Sequence, residues 1–320
     1  MKKILVTGFS GFVSQHFINL LAHTEEYYSI LGIDVNNPDF QFKNFSNVSI
    51  DFKRCNLLEK DNLERIIVDF GPDYILHLAA FSSVGFSWQS PDLCIKNNTD
   101  IFLNLIEILR KNNFKGRMLS VGSSEEYGNY SRELLPLKED YVLHPVSPYA
   151  IARITQENLS KVYADGFGLD IIMTRSFNHI GPGQKDKFVI PSFAHQLVEI
   201  KKGIKTENKL ITGNIEIIRD FLDVRDVVNA YLTLLNNGKK GEVYNICSGY
   251  GISLREIIKK MCILLDINVE IILDQKLVRP NDNMIIIGCN DKISKECKWK
   301  PKYNIDDSLM AILEYWSNIV

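Results

Sequence analysis

Short apolar runs alternate with longer amphipathic segments through the first half of the chain. Strands are predicted for KKILVTG, YSILGID, NVSIDFKRCN, PDYILHLAA, RMLSVGSS and LDIIMTRSF, and helices for GFVSQHFINLLAH, for residues 60–69 and 91–111, and from Pro148 onward. Strands that alternate with helical segments indicate an α/β fold built on a doubly wound parallel sheet. Ligands of such sheets bind beyond the carboxyl ends of the strands, and the motifs described below lie at those ends.

After about residue 177 the alternation becomes irregular, which indicates a second, smaller lobe. We therefore assign residues 1–176 to a Rossmann nucleotide-binding domain, and residues 177–217 and 248–320 to a smaller C-terminal substrate lobe. The stretches RDFLDVRDVVNAYLTLL and EVYNICSG have the patterns of a helix and a strand. They predict that a segment at about 218–247 returns to the first domain.

Composition and charge exclude several classes of function. The 320 residues are 45% hydrophobic and 24% charged, and the net charge of -2 without a basic run argues against nucleic-acid binding. No stretch approaches the roughly 18–20 apolar residues that cross a bilayer, and the apolar run near the start is too short for a signal peptide. Six cysteines without CxxC spacing predict free thiols, so we expect a cytoplasmic protein without a metal site.

The stretch TGFSGFVS, residues 7–14, follows a predicted strand and opens a predicted helix. Gly8 permits a tight turn, and Gly11 lets the backbone approach a pyrophosphate at the helix N-terminus, where free N–H groups favour anions. Ser14 stands at the position of a third expected glycine, so the fingerprint is imperfect. Asp34 strengthens it, because it ends the second strand 20 residues after Ser14 and would accept hydrogen bonds from an adenosine ribose.

The charge of Asp34 favours NAD(H) over NADP(H), because a carboxylate repels a 2′-phosphate and no arginine adjoins it. A solvated aspartate in a turn is the alternative. Asn56 is a candidate partner for adenine, and HLAA at 77–80 offers small side chains against which a cofactor can lie flat. The predicted cofactor contacts are Gly8, Gly11, Phe12, Asp34, Asn56, Leu57, Leu78, Ala79, Ala80, Asn97, Tyr149 and Arg153.

Several of these motifs carry a resemblance to a known family. The turn at Gly8 and Gly11, HLAA, VGSSEEYG (121–128) and SPYAIAR (147–153) resemble the extended short-chain dehydrogenase/reductase family over nearly the whole chain. TRSFNHIGPGQ, RDFLDVRDVV and RPND are similar to the GDP-4-keto-6-deoxy-mannose reductases and, somewhat less, to the GDP-mannose 4,6-dehydratases. The resemblance implies an NAD(P)-dependent oxidoreductase that acts on a GDP-hexose or a GDP-heptose.

The resemblance places the reacting centre at Tyr149, Ser123 and Arg153. Tyr149 is the expected acid or base, and Ser123 would hydrogen-bond the same substrate oxygen. A free tyrosine titrates near pH ~10, so proton transfer at working pH calls for a fixed positive charge nearby. The family's lysine stands one helical turn after the tyrosine, and Arg153 replaces it here with a permanent, bulkier and planar cation. Glu125 occupies the place of the dehydratases' base, but the similar reductases also carry it.

A nucleotide sugar brings a diphosphate, which arginines and polar side chains are expected to bind. By resemblance, Arg219 and Arg279 contact phosphate and ribose, and Asp282 binds the guanosine ribose. Asn178 is expected at the junction of diphosphate and sugar. In the alternative interpretation, Arg219 pairs with its neighbour Asp220. The predicted substrate contacts are Ser124, Asn178, Val189, Arg219, Arg279 and Asp282.

Four functions remain open at this point. The first is reduction of a GDP-4-keto-6-deoxy sugar, of the mannose or heptose type, at C4 by NAD(P)H with Tyr149 as proton donor. The second is a C4 dehydrogenase or epimerase of a GDP-sugar with tightly bound NAD(H). A GDP-mannose-type 4,6-dehydratase and a non-catalytic sugar-nucleotide binder complete the set.

The resemblance also implies a homodimer, or a tetramer, formed through the helix at 91–111 and the helix that opens at Pro148. The apolar positions of the first helix that fit such an interface are Ile101, Phe102, Leu105 and Leu109. The same stripe fits a protein core equally well.

Overall fold

The computed structural model describes residues 1–40, 45–278 and 283–320. Each strand in this part of the chain is short, as expected for strands in a globular protein. In chain order the strands are β1 (Lys2–Thr7), β2 (Tyr28–Asp34), β3 (Val48–Arg54), β4 (Tyr74–His77), β5 (Arg117–Ser123), β6 (Asp170–Ser176), β7 (Asn178–Ile180), β8 (Lys209–Thr212), β9 (Ile218–Asp223), β10 (Val243–Ile246), β11 (Gly251–Ser253), β12 (Glu270–Leu273) and β13 (Ile285–Ile286).

Seven parallel strands form the large sheet, in the order β10-β6-β5-β4-β1-β2-β3. The order reverses between β1 and β4, where a crevice opens at the carboxyl ends of the strands. The predicted doubly wound Rossmann sheet is therefore confirmed. The alternation of apolar runs was sufficient for this prediction, because strands buried on both faces are apolar throughout.

Helices cover both faces of the large sheet, and further helices belong to the smaller lobe. Their bounds are α1 (Phe12–Ala22), α2 (Lys60–Phe70), α3 (Val84–Gln89), α4 (Pro91–Lys111), α5 (Pro148–Gly166), α6 (Val189–Lys201), α7 (Val224–Asn237), α8 (Leu254–Leu265), α9 (Asp291–Cys297) and α10 (Ile305–Ile319). Helices α1 and α7 share one hydrophobic core with the sheet, and α2, α4 and α5 share the core on the other face. Helix α5 begins sharply, because the Ser147 hydroxyl accepts a hydrogen bond from Ala150 N and Pro148 occupies the first turn.

The apolar stripe of α4 packs into the protein core. The side chains of Ile101, Phe102, Leu105 and Leu109 are at most 6% exposed and pack with α2, α5 and the sheet. Of the two interpretations of this stripe, the protein core is the one that the structure shows, since a helix that covers a sheet turns its widest apolar face inward.

The second half of the chain adds a smaller lobe with its own core. Helices α6, α8 and α10 pack together there, beside a small sheet in which β9 lies between β11 and β13 and also pairs with β7. Strands β8 and β12 form a separate parallel pair. Among the helices in the described ranges, none is long and apolar enough to span a membrane.

Candidate active site

The loop between β1 and α1 is a tight glycine turn of the kind that binds phosphate groups. Gly8 has a φ of +70°, and a Cβ atom there would lie 2.7 Å from the Ala79 nitrogen, so only glycine allows the two loops to approach this closely. Gly11 N donates to Gly8 O at 3.0 Å, and α1 begins directly after it. The buried Ser14 hydroxyl donates to the same oxygen at 3.3 Å. The backbone N–H groups at the start of α1 are thereby held in position for an anion.

The end of β2 matches a ribose site, with one unexpected neighbour. Asp34 accepts hydrogen bonds from Ser10 N and Asn36 N, both at 3.0 Å. The expectation that no arginine adjoins Asp34 is wrong, because β3 pairs with β2 in a register that sets Arg54 opposite Asp34. Arg54 Nε donates to Val35 O at 2.8 Å. Strand pairing therefore brings an exposed cation to the carboxyl end of β2.

The loops after β3 and β4 contain most of the other predicted cofactor contacts. Asn56 is half-buried and its side-chain oxygen accepts a hydrogen bond from Leu58 N, while Leu57 is buried. Leu78, Ala79 and Ala80 are half-buried and follow β4 directly. They line the crevice beside the Gly8 turn.

Two adjacent asparagines of α4 have different surroundings. Asn97, the predicted contact, is half-buried. Asn98 is 2% exposed; its oxygen accepts from Phe81 N at 2.8 Å and its amide donates to Phe81 O at 3.1 Å. Asn98 therefore fixes the loop after β4 from both sides. Sequence reasoning did not single it out, because two neighbouring asparagines can be told apart only once the helix is packed.

Tyr149 and Arg153 lie one turn apart on the inner face of α5. Arg153 Nε donates to Tyr149 Oη at 3.1 Å, and the guanidinium carbon is 5.2 Å from the centre of the phenol ring. Tyr149 is 6% exposed and Arg153 is 5% exposed. A permanent cation therefore contacts the phenol oxygen in a largely water-excluded environment.

Buried polar groups hold the rest of the Arg153 guanidinium. Its Nη1 atom donates to Val121 O at 3.0 Å and to Gln156 Oε1 at 2.7 Å. Gln156 Nε2 donates to Ser120 Oγ at 2.9 Å and to Val121 O at 3.1 Å. The Ser160 hydroxyl lies 3.1 Å from Ser120 Oγ. Sequence reasoning missed Gln156, although its spacing from Arg153 on the helix is a signal that could have found it.

A tight turn at the end of β5 carries the predicted Ser123, Ser124 and Glu125. Ser123 Oγ accepts a hydrogen bond from Glu125 N at 3.3 Å, and Ser123 N donates to Glu126 Oε1 at 2.7 Å. These bonds form a capping box for the 3₁₀ turn Ser124–Tyr127. Ser123 and Ser124 are buried, and Glu125 is half-buried. Glu126 therefore fixes the backbone from which the Ser123 hydroxyl projects.

Glu126 itself lies beside a buried ion pair. Arg175 Nε and Nη2 donate to the two oxygens of Glu157 at 2.8 and 2.9 Å. Burial opposes ionisation of Glu157, but the hydrogen bonds from Arg175 lower its pKa below the usual range. Burial, followed by the charge of Glu157, raises the pKa of Glu126 well above its ordinary value. The arrangement favours a neutral Glu126 next to an ionised Glu157.

His77 is a packed side chain at the end of β4. It is 1% exposed, and its Nδ1 atom lies 2.8 Å from the Thr7 hydroxyl. Burial, and then the positive charge of Arg153, lower the pKa of His77 to about 3. The imidazole is therefore neutral at physiological pH.

Apart from Ser124, the predicted substrate contacts within the described residues lie after β6 in the chain. Asn178 is exposed at the start of β7, and Val189 begins α6 with 38% of its surface exposed. Arg219 lies on β9, which pairs with β7, and is 6% exposed. Arg279 and Asp282 lie outside the described residues.

Asp220 has a structural role next to Arg219. Its carboxylate accepts hydrogen bonds from Ser248 N and Ser248 Oγ at 2.8 and 2.6 Å, from Gly249 N at 2.9 Å and from Gly288 N at 3.2 Å. The alternative in which Arg219 pairs with Asp220 is therefore wrong, because neighbours in a strand point to opposite faces and the carboxylate is already bound.

These side chains fit a nicotinamide dinucleotide. A Cβ atom would fill the turn at Gly8, Asp34 offers a carboxylate at the carboxyl end of β2, and Tyr149 with Arg153 supplies a phenol and a fixed cation. Arg153 Nη2 makes no hydrogen bond to the described residues and remains a donor for a ligand hydroxyl. A phenol beside a fixed cation can give a proton to, or take one from, an oxygen bound next to Tyr149.

Comparison with known proteins covers almost the whole chain. The family described as GDP-mannose 4,6 dehydratase matches residues 5–312. The GDP-6-deoxy-D-mannose reductase of Pseudomonas aeruginosa is 34% identical over 319 residues, which cover 100% of this chain and 98% of that protein. The dTDP-glucose 4,6-dehydratase of Shigella flexneri is 27% identical and covers 98% of this chain and 92% of that protein.

A solved structure of RMD from Pseudomonas aeruginosa complexed with NADPH has a TM-score of 0.87 at 33% identity and covers 100% of both chains. The UDP-glucose 4-epimerase of Thermotoga maritima, solved with UDP-glucose, has a TM-score of 0.87 at 27% identity and covers 99% of both chains. The reacting centre and the sheet described above are thus set in a chain that is similar to nucleotide-sugar enzymes along its full length. The chain belongs to the GDP-mannose 4,6 dehydratase family, within the extended short-chain dehydrogenases/reductases.

Proposed function

We propose that this protein reduces a GDP-4-keto-6-deoxy sugar, of the mannose or heptose type, at C4 with NAD(P)H. The observation that carries the proposal is the hydrogen bond from Arg153 Nε to Tyr149 Oη, at 3.1 Å, beside the turn that holds Ser123. The full-length similarity to the GDP-6-deoxy-D-mannose reductase of Pseudomonas aeruginosa supports this choice of substrate.

Tyr149 is the proton donor of the proposed step. When bound, the reduced nicotinamide supplies a hydride to C4 of the keto sugar and is itself oxidised. Tyr149 Oη gives its proton to the carbonyl oxygen, so that the C4 carbonyl becomes a secondary alcohol. Arg153 stabilises the phenolate that remains, and the Ser123 hydroxyl donates a hydrogen bond to the same sugar oxygen as its charge develops. A solvent proton then restores the tyrosine.

The preference for NAD(H) belongs to the same proposal. Asp34 would accept hydrogen bonds from the ribose hydroxyls and repel a 2′-phosphate, whereas Arg54 would offset part of that repulsion. NADPH in the solved structure of RMD agrees with the second effect. We expect a higher kcat/KM with NADH than with NADPH. We also expect the kcat/KM with NADPH to be lower in Arg54→Leu than in the wild type. Equal values for the two cofactors would contradict the preference.

A 4,6-dehydratase is the second candidate, because Glu125 stands next to Ser123 at the position expected for the dehydratases' base. One experiment separates the two. The purified protein is incubated with GDP-4-keto-6-deoxy-mannose and NADH, and separately with GDP-mannose without added cofactor. NADH oxidation matched by formation of the C4 alcohol supports the reductase, whereas a 4-keto-6-deoxy product from GDP-mannose supports the dehydratase. If neither mixture shows turnover, and the corresponding heptose analogues show none either, both candidate functions are contradicted.

The assembly and the division of the chain are part of this proposal. Residues 1–176, with the returning segment at about 218–247, would bind the cofactor, and the remaining residues the GDP-sugar.

A homodimer through α4 and α5 is supported by the exposed apolar side chains of Leu103, Ile151 and Val162, which are 36, 45 and 57% exposed. The free cysteines support a reducing, cytoplasmic setting. Light scattering of wild type and Ile151→Glu would test the dimer.

A further inference from the structure

We propose that Gln156 is the positioning residue that determines how Arg153 meets Tyr149, an inference that rests on the proposed roles of those two residues. A guanidinium can present any of three nitrogens to a neighbouring oxygen, unlike the single nitrogen of a lysine. In this protein the nitrogen next to Tyr149 Oη is Nε, because Nη1 is anchored elsewhere. An arginine in this place therefore needs a partner that fixes its plane.

Gln156 supplies the shorter of the two anchors. Its Oε1 atom accepts from Arg153 Nη1 at 2.7 Å, whereas Val121 O accepts from the same nitrogen at 3.0 Å. Tyr149, Arg153 and Gln156 all belong to the buried face of α5, at spacings of four and three residues. The three side chains therefore form one connected row along the helix.

The orientation of the Gln156 amide is itself determined by its other contacts. Its Nε2 atom donates to Ser120 Oγ and to Val121 O, at 2.9 and 3.1 Å. A flipped amide would set its N–H groups against Arg153 Nη1 and its oxygen against Val121 O, so both contacts would become repulsive. The acceptor that faces Arg153 is thus fixed by strand β5, which also leads to the turn at Ser123.

Because Gln156 is buried, its hydrogen bond with Arg153 determines the orientation of the guanidinium. Gln156 is 2% exposed, so removal of its oxygen leaves Arg153 Nη1 with Val121 O as its remaining anchor and without water as a substitute. The guanidinium can then rotate away from the phenol without losing its charge. Gln156 acts on the reaction through Arg153 and does not need to touch the substrate.

The test compares Gln156→Met, which keeps the side-chain length without an acceptor, with Thr155→Val on the same helix as the control. Within the described part of the chain, Thr155 Oγ1 donates its hydrogen bond to Ile151 O on its own helix, so the control removes a hydroxyl without changing the row of buried side chains. We expect Gln156→Met to lower kcat about tenfold and to move the alkaline limb of the kcat–pH profile upward by about one pH unit, because a weaker acid donates its proton less readily. The control should retain the wild-type profile.

A double-mutant cycle distinguishes positioning from a general structural effect. In an Arg153→Met background, Gln156→Met should cause no further loss of kcat. An equal loss in both backgrounds, or a folded Gln156→Met protein with the wild-type kcat and pH profile, would overturn the proposal. If Gln156→Met fails to fold, Gln156→Glu keeps the volume and offsets the Arg153 charge, and an unchanged pH profile in that variant would overturn it equally.

A readout independent of turnover separates this inference from the proposed function. The ultraviolet absorbance of tyrosinate is titrated with pH in the wild type and in Tyr149→Phe, and the difference curve reports on Tyr149. Gln156→Met should move that difference curve to higher pH even if no GDP-sugar is turned over. An unmoved curve would contradict the role of Gln156, whereas a moved curve without turnover would contradict only the proposed reaction.

Discussion

Arg153 donates a hydrogen bond to Tyr149 across one turn of α5, over 3.1 Å, and both side chains are almost fully buried. The contact joins a group that can give up a proton to one that cannot lose its charge. Arg153 contributes both a positive charge and a fixed hydrogen-bond geometry, and substitutions can remove these two contributions separately.

Tyr149→Phe is expected to reduce turnover of the keto sugar by a factor of about 10² to 10⁴, because the donated proton is lost while the ring still packs. Binding of NADH, followed by its fluorescence, should change little, since the glycine turn at Gly8 belongs to a different element, the loop between β1 and α1, and is untouched by the substitution. A variant that retains full activity would show that Tyr149 is not the proton donor.

Substitutions of Arg153 should separate its charge from its geometry. Arg153→Lys keeps the charge but cannot hold Tyr149, Val121 and Gln156 at once, so we expect kcat to fall about tenfold. Arg153→Met also removes the charge, so we expect its kcat to be lower than that of Arg153→Lys by a further factor of about ten or more. The measurement is kcat at saturating NADH and keto sugar for the three proteins. Equal activity of the two variants would mean that the charge is irrelevant.

Glu126→Gln should alter the dependence of stability on pH. The pKa of Glu126 is raised in the folded protein, so its contribution to stability is fully present below the unfolded pKa of about 4.3 and is lost as pH rises through the folded pKa. Glutamine keeps the acceptor for Ser123 N and has no proton to lose. We therefore expect urea unfolding to show that the variant loses less stability than the wild type between pH 5 and pH 8. Parallel losses would show that Glu126 is ionised when folded.

His77 should make the protein sensitive to acid. Its folded pKa of about 3 lies below the unfolded value of about 6.5, so its contribution is present above pH 6.5 and is lost as pH falls toward 3. Between pH 7 and pH 5 the wild type should lose about 2 kcal/mol of unfolding free energy through this group. His77→Asn should show a smaller loss, whereas His23→Asn, at an exposed position, should behave as the wild type does. Identical losses in all three proteins would contradict the assignment.

Local sequence patterns were sufficient for features that depend on a short stretch of chain. The strand–turn–helix at Gly8 and the row that joins Tyr149 to Arg153 are of this kind, because helix and strand geometry alone determine which residues face each other. Arg54 was missed because it meets the end of β2 only through the register of β2 with β3.

Buried polar groups were harder to predict for a related reason. Glutamate and glutamine are residue types that are mostly exposed, so the sequence does not indicate that positions 126 and 156 are buried. They are buried because α5 packs against β5 and against the turn that follows β5. The stripe on α4 left two interpretations open, because an apolar helix face does not indicate what covers it.

The return of the chain into the first domain limits how the protein can be re-engineered. Strand β10 pairs with β6, and α7 shares a core with α1, although both follow β7, α6, β8 and β9 in the chain. A construction that ended after β6 would leave that strand as an open edge and uncover the face on which α7 packs. A chimaera that exchanges the smaller lobe with that of a relative must therefore carry two separate inserts, one before and one after a retained segment that contains α7 and β10.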